Sequence, residues 1–172
     1  MRYVILVLCL MALPFSANAD LVKWLTGKKI IGWAERVYVY DTNMVMKARL
    51  DTGALLSSIH SNTIEILDGK KKNDPKRIVF EIINENGEKQ KIERPLVRWA
   101  NIKKKGTAGW IKRPVVHLKL CIADRITEGE VTLANRSRFI YPLLIGRNIL
   151  KQENMIVDSK ERYTHSAECP KG

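Results

Sequence analysis

Between Met44 and Leu50 the chain alternates, with Met44, Met46, Ala48 and Leu50 on one side and Val45, Lys47 and Arg49 on the other. A period of two predicts a strand with one buried face. Upstream, Lys29 to Tyr40 is rich in Ile, Val, Trp and Tyr, with Gly32 early, and also reads as strand. Asp68 to Lys76, "DGKKKNDPK", reads as a loop. Three hairpins follow. Arg77–Ile83 and Glu88–Ile92 flank "NENG", whose Asn86-Gly87 pair suits a tight turn. Leu96–Ile102 and Trp110–Val116 flank "KKKGTAG", and His117–Ala123 and Glu130–Leu133 flank "DRITEG". Tyr141–Ile145 has the content of a buried strand, and Gly146–Lys151 opens a short helix. No stretch of residues 20–172 predicts a long amphipathic helix, and there is no internal repeat. Short strands and turns at regular spacing predict an all-β sandwich or barrel. A chain of 172 residues suits one domain over 20–172.

The first nineteen residues follow a different pattern. Arg2 precedes an apolar run from Val4 to Leu13, Pro14 breaks it, and Ala17-Asn18-Ala19 supplies a small-x-small site. This predicts a signal peptide over 1–19, cut after Ala19, and an exported, periplasmic protein. The alternative is an uncleaved anchor, for which the apolar run is short. Leu8 before Cys9 does not fit a lipoprotein site. Removal of the leader leaves Cys121 and Cys169, which either pair, as export permits, or stand as free thiols.

The formal net charge is +12, and lysines cluster at Lys70-Lys71-Lys72 and Lys103-Lys104-Lys105. A basic exported protein meets anionic envelope polymers, lipid headgroups or acidic substrates. Each run taken alone also fits a solvated loop. No nucleic-acid motif is present, and export argues against that partner.

Asp51 is the residue that asks for chemistry. It follows the apolar Leu50 at the end of a core strand and precedes Thr52-Gly53-Ala54. A strand end holds the acid on a rigid base, Thr52 offers a hydroxyl, and Gly53 lets another backbone approach closely. Two such loops face to face bring two carboxylates together, and the pair then shares one proton. The charged member activates a water for attack on an amide carbonyl, and the protonated one donates to the carbonyl oxygen. Asp41-Thr42-Asn43 and Asp158-Ser159-Lys160 lack the glycine, and Asp68-Gly69 lacks the hydroxyl. The second carboxylate must therefore be Asp51 of a second copy, on the axis of a symmetric homodimer. A lone Asp-Thr-Gly also occurs in ordinary turns.

"RLDTGA" followed by "PLLIGRNIL" resembles the retropepsins, the half-length, dimeric aspartic proteases of retroviruses. More widely, "KARLDTGALLSSIHS", "KRPVV", "EVTLANRSRFIYPLLIGRNIL" and "VDSKERY" resemble the bacterial retropepsin-like family related to RimB, over most of residues 30–163. The resemblance implies a closed all-β acid-protease barrel with one short C-terminal helix. It implies a catalytic Asp51 in an active-site loop with Thr52, Gly53 and Ala54. Leu144, Ile145 and Gly146 would lie behind that loop, with Arg147 and Asn148 opening the helix. "GTAGWIKRPVV" sits where the family has its flap, so Gly106, Gly109, Trp110 and Ile111 are candidate flap residues, although a glycine turn suits any hairpin. The family is often labelled ATP-dependent zinc protease. This chain has neither a phosphate-cradling Walker loop nor a His-Glu-x-x-His helix, and His60, His117 and His165 show no ligand spacing, so we expect no metal and no nucleotide cofactor. His60, just past the motif, reads as a hydrogen-bonded structural histidine. Where viral members carry acids after the motif this chain has Leu55 and Leu56, so Arg147 is expected to find another carboxylate. The tail "THSAECPKG" does not look like a strand for an interleaved dimer sheet.

Two functions follow. The first is an exported, homodimeric aspartic endopeptidase acting on proteins or peptides, its floor shaped by Ala54, Ile145 and Gly146, with Trp110 or Ile111 brought down by the flap. The other is a non-catalytic module on the same fold, binding peptides or anionic envelope polymers. A purely structural envelope protein is a third, weaker reading.

Overall fold

The computed structural model describes residues 27–69, 74–103, 106 and 108–169, without the side chain of Thr63. The leader, the Lys70-Lys71-Lys72 run and Lys104-Lys105 lie outside these residues.

The strands in chain order are β1 (Lys29–Gly32), β2 (Ala34–Val39), β3 (Met44–Leu50), β4 (Ser57–Leu67), β5 (Arg77–Ile83), β6 (Lys89–Pro95), β7 (Arg98–Lys103), β8 (Trp110–Ile122), β9 (Arg125–Ala134), β10 (Leu143–Ile145) and β11 (Met155–Asp158). The one helix among the described residues is α1 (Arg147–Gln152). β3 shows the alternation read from its sequence, with Met44, Met46, Ala48 and Leu50 buried.

Six strands close a ring in the order β10-β3-β2-β8-β9-β4, because β10 pairs in parallel with β3 and antiparallel with β4. Closure removes the free edges of the ring. Its interior is filled by Met46, Ile59, Leu118, Leu133, Leu143 and Ile145, with Phe80 and Ile82 joining from β5. β4 serves two structures. Its first residues pair with β9, and beyond an irregularity between Ser61 and Ile64 the rest pairs with β5 and, through it, β6. Among the described residues β7 pairs with β8 alone. The described residues therefore form the expected closed all-β barrel with one short C-terminal helix.

Local detail departs from the sequence reading. β8 runs unbroken through Val116 and His117, where two strands had been expected. The turn after it is Ala123-Asp124, both with positive φ (50° and 70°), and not the six residues "DRITEG". Two consecutive left-handed residues make a tight hairpin turn. Arg125, Thr127 and Glu128 of that stretch lie within β9, where Glu128 is exposed and Thr127 and Gly129 are buried.

The first and last of the described strands are paired with each other. β1 runs parallel to β11, from Lys29 opposite Met155 to Gly32 opposite Asp158. The tail then folds back over β2. The Trp33 N–H donates to Glu161 O (2.9 Å) and the Tyr163 N–H to Ala34 O (2.7 Å). A Cβ on residue 32 would stand 2.7 Å from the Arg162 Cα, which explains the glycine there. Glu35, 0% exposed, holds the tail. Its Oε1 accepts the N–H groups of Gly32 (2.8 Å) and Thr164 (3.1 Å), and Oε2 accepts that of His165 (3.3 Å). Four residues on, Cys169 is disulfide-bonded to Cys121 of β8, with Cα atoms 6.3 Å apart. The bridge closes a loop of 48 residues. A C121S/C169S variant is expected to lose about 2–4 kcal/mol, read as a lower denaturant midpoint.

Candidate active site

β3 delivers the acid. Leu50 is buried in the barrel, and the chain emerges at Asp51, which is half-buried, followed by exposed Thr52 and Gly53. The Asp51 N–H donates to Ile145 O (2.8 Å), so β10 extends the pairing of β3 by one residue, to the acid itself. Asp51 Oδ1 accepts the N–H groups of Gly53 (2.9 Å) and Ala54 (3.2 Å), which fixes the carboxylate against its own loop. Oδ2 takes no hydrogen bond within the described residues. One oxygen is held and the other is left for a water or a facing group.

The loop is clamped from below. The Arg147 N–H donates to Ala54 O (2.8 Å) and the Asn148 N–H to Leu55 O (3.2 Å). Asn148 Oδ1 accepts both the Ser57 N–H (3.0 Å) and the Ser57 hydroxyl (2.9 Å), while its Nδ2 donates to Glu130 O (2.8 Å). The Ser57 Oγ in turn accepts the Gly146 N–H (3.0 Å). A Cβ at position 146 would meet the Leu56 carbonyl carbon at 2.7 Å and its oxygen at 2.8 Å, so only glycine lets β10 pass this close. The structure thus gathers Asp51, Thr52, Gly53 and Ala54 with Leu144, Ile145, Gly146, Arg147 and Asn148. Arg147 is exposed and has no carboxylate partner among the described residues, contrary to the expectation that it must find one. In water its charge needs no partner. Leu55 is 67% exposed beside it.

A cleft of about 350 Å³ opens next to the loop, between Ala54, Leu55 and Leu56 on one side and the β7–β8 hairpin on the other. The hairpin contributes Asn101, Ile102, Lys103 and Arg113. Neither Trp110 nor Ile111 borders this cleft. Gly106 has φ +78 with open space around it, as a turn glycine should, and Gly109 precedes β8.

The electrostatics of the cleft come from two arginines that the sequence reading did not single out. Arg136 is only 8% exposed. Its Nη1–H donates to Ser58 Oγ (2.9 Å) and its Nε–H to Tyr141 O (3.2 Å), and the guanidinium stacks 4.7 Å from the Phe139 ring centre. Burial first, then the nearby Arg113 charge, hold its guanidinium below the ordinary arginine range, with Asp51 pulling the other way. Burial likewise lowers Arg113. Neither arginine pairs with a carboxylate among the described residues. His60 is buried, and its Nδ1 accepts the Arg136 N–H (3.1 Å), which is the structural role expected of it. His117 stands 3.9 Å from Glu128 and His165 3.8 Å from Glu35, both away from the loop.

A closed barrel with a strand-end Asp-Thr-Gly loop, backed by Leu-Ile-Gly and the first turn of a single helix, defines a retropepsin-like protein. A family profile described as "RimB-like: Retropepsin-like aspartic endopeptidase RimB" matches residues 30–168, and the chain belongs to this family. Among solved structures 66 chains match. One is a Legionella pneumophila protein of unknown function (strain Philadelphia 1), 32% identical, with a TM-score of 0.66 over 78% of this chain and 96% of that one. Comparison with curated proteins gives no match.

Proposed function

We propose that the protein is an exported aspartic endopeptidase that acts as a homodimer, each subunit supplying one Asp51. The observation that carries this reading is the asymmetric tethering of the carboxylate. Oδ1 is held by Gly53 and Ala54, Oδ2 takes no hydrogen bond among the described residues, and the tip of the loop is exposed for a second copy to approach. Two facing Asp51 side chains hold one proton between them. The ionised carboxylate takes a proton from water as the oxygen bonds to the amide carbon, and the other gives its proton to the carbonyl oxygen. The carboxyl that took the water's proton gives it to the amide nitrogen as the C–N bond breaks, and a diol hydroxyl returns its proton to the other Asp51, leaving a carboxylic acid and an amine.

The cleft fits an extended chain. Three consecutive residues of β7, Asn101 to Lys103, border it, and among the described residues β7 has no strand partner other than β8. A peptide laid there meets an unpaired backbone edge beside the reacting aspartate. Arg113 and Arg136 make the cleft cationic, which favours an acidic side chain next to the scissile bond. An R113Q variant is expected to raise KM for peptides acidic at that position by about ten- to a hundredfold, leaving neutral peptides nearly unchanged. Steady-state kinetics on paired peptides reads this difference.

Subunit mixing tests the shared site. Wild-type and D51N chains, combined in equal amounts and allowed to exchange, should retain about a quarter of the wild-type activity, because only dimers with two acids work. A decline in simple proportion to the wild-type fraction would show that one subunit suffices and would end the dimer reading. The same cationic cleft also suits a non-catalytic module gripping anionic polymers. In that case D51N chains bind as well as wild type, and neither form cleaves.

A further inference from the structure

The β7–β8 hairpin has two faces, since cross-strand partners share a face and successive residues alternate. The register sets Trp99 opposite Pro114, Asn101 opposite Lys112 and Lys103 opposite Trp110, and these six make one face. Ala100, Ile102, Ile111 and Arg113 make the other, and Ile102 and Arg113 border the cleft. Asn101 and Lys103 also border it, as β7 is the free edge of the hairpin. Burial tells the two faces apart: Ala100 is 3% exposed against the body, so the Trp–Lys face is the outer one, with Pro114 buried at its base. It presents Trp110 at 66% and Trp99 at 45% exposure. Lys103 and Lys112 are exposed on the same face, which carries no acid, and neither pairs with a carboxylate among the described residues.

We propose that this outer face docks the protein onto an anionic phospholipid bilayer. Indole rings are apolar bodies with one N–H donor and settle at headgroup depth, while lysine ammonium groups reach the phosphates. Charge distinguishes this occupant from a second copy of the chain. A two-fold contact through the same face would set Lys103 and Lys112 of one copy against those of the other with no acid to answer them. A chain of net charge +12 is drawn to the same surface from a distance. Docking by the outer face brings the bilayer beside the cleft, whose rim Lys103 shares, and leaves its Ile102 and Arg113 side open to chains lying near the membrane.

The test uses the protein purified after export, with phosphatidylcholine vesicles containing or lacking phosphatidylglycerol. The protein is expected to sediment with the anionic vesicles, and brominated lipid should quench its tryptophan emission. K103Q/K112Q should lower the partition by about thirtyfold, at roughly a factor of five per lysine. W99A/W110A should lower it by at least about tenfold and abolish the quenching. All four side chains are exposed, so both variants should keep the wild-type circular dichroism and thermal midpoint. Absence of wild-type binding would overturn the proposal, as would equal binding by the tryptophan variant, which would mean adsorption by general charge. Loss of self-association by W99A/W110A in the absence of lipid would also overturn it, by assigning the face to a subunit contact. D51N should bind vesicles like wild type, which separates this result from the fate of the hydrolytic reading.

Discussion

Asp51→Asn is expected to lower peptide hydrolysis by about 10²–10⁴-fold while leaving the fold in place. The amide keeps an oxygen where Oδ1 accepts the Gly53 and Ala54 N–H groups, so the loop retains its internal hydrogen bonds. What disappears is the ability to bear a negative charge and pass a proton. Stability should change by no more than about 1 kcal/mol, because the side chain is half-buried and both donors stay satisfied. Turnover of a fluorogenic peptide, measured beside a thermal melt, checks both halves. Cleavage that survives in D51N would assign the chemistry to some other group.

Gly146→Ala is expected to damage the site without touching an acid. The added methyl would stand 2.7 Å from the Leu56 carbonyl carbon and 3.0 Å from the Ser57 nitrogen. Both are backbone atoms, and Ser57 is held by Asn148 and Thr132, so the strain cannot drain into a mobile side chain. Overpacking of this kind costs about 1–3 kcal/mol. The adjacent Ile145 O anchors the Asp51 N–H, so a shift of β10 carries the carboxylate with it. A displacement of even 1 Å is enough for about a hundredfold loss of rate. The expected signature is a lower denaturant midpoint together with a fall in kcat. A variant as stable and as active as wild type would mean that β10 does not set the position of the acid.

The parts of this fold that could be read in the chain are those where the side chains face one way in and one way out. β3 is the clearest example, because its alternation maps directly onto burial. β4 escaped notice for the opposite reason. Ser57, Ser58, His60 and Ser61 look like loop residues, yet all are buried, with Asn148 and Arg136 satisfying the first three. β11 was equally silent, since four half-buried residues have no contrast between faces. The Asp-Thr-Gly and Leu-Ile-Gly-Arg-Asn elements were legible as motifs, and the structure brings them together by hydrogen bonds no pattern displays. Arg113 and Arg136 were hidden in plain view. In a chain with 30 Lys and Arg residues nothing marks two of them as drawn into a cleft. The only hints were their neighbours, a proline after Arg113 and an aromatic near Arg136.

The parallel contact of β1 with β11 bears on how such a protein comes into being. The first and last described strands satisfy each other, and the tail is covalently fastened at Cys169, so neither of these strands waits to be completed by a twin. Maturation can then precede encounter. Under the reading as an exported, two-subunit hydrolase each copy is finished but idle before it meets another, and local abundance, not folding, becomes the throttle on hydrolysis. Crowding at a surface would open that throttle, and dilution would close it without unfolding a single molecule.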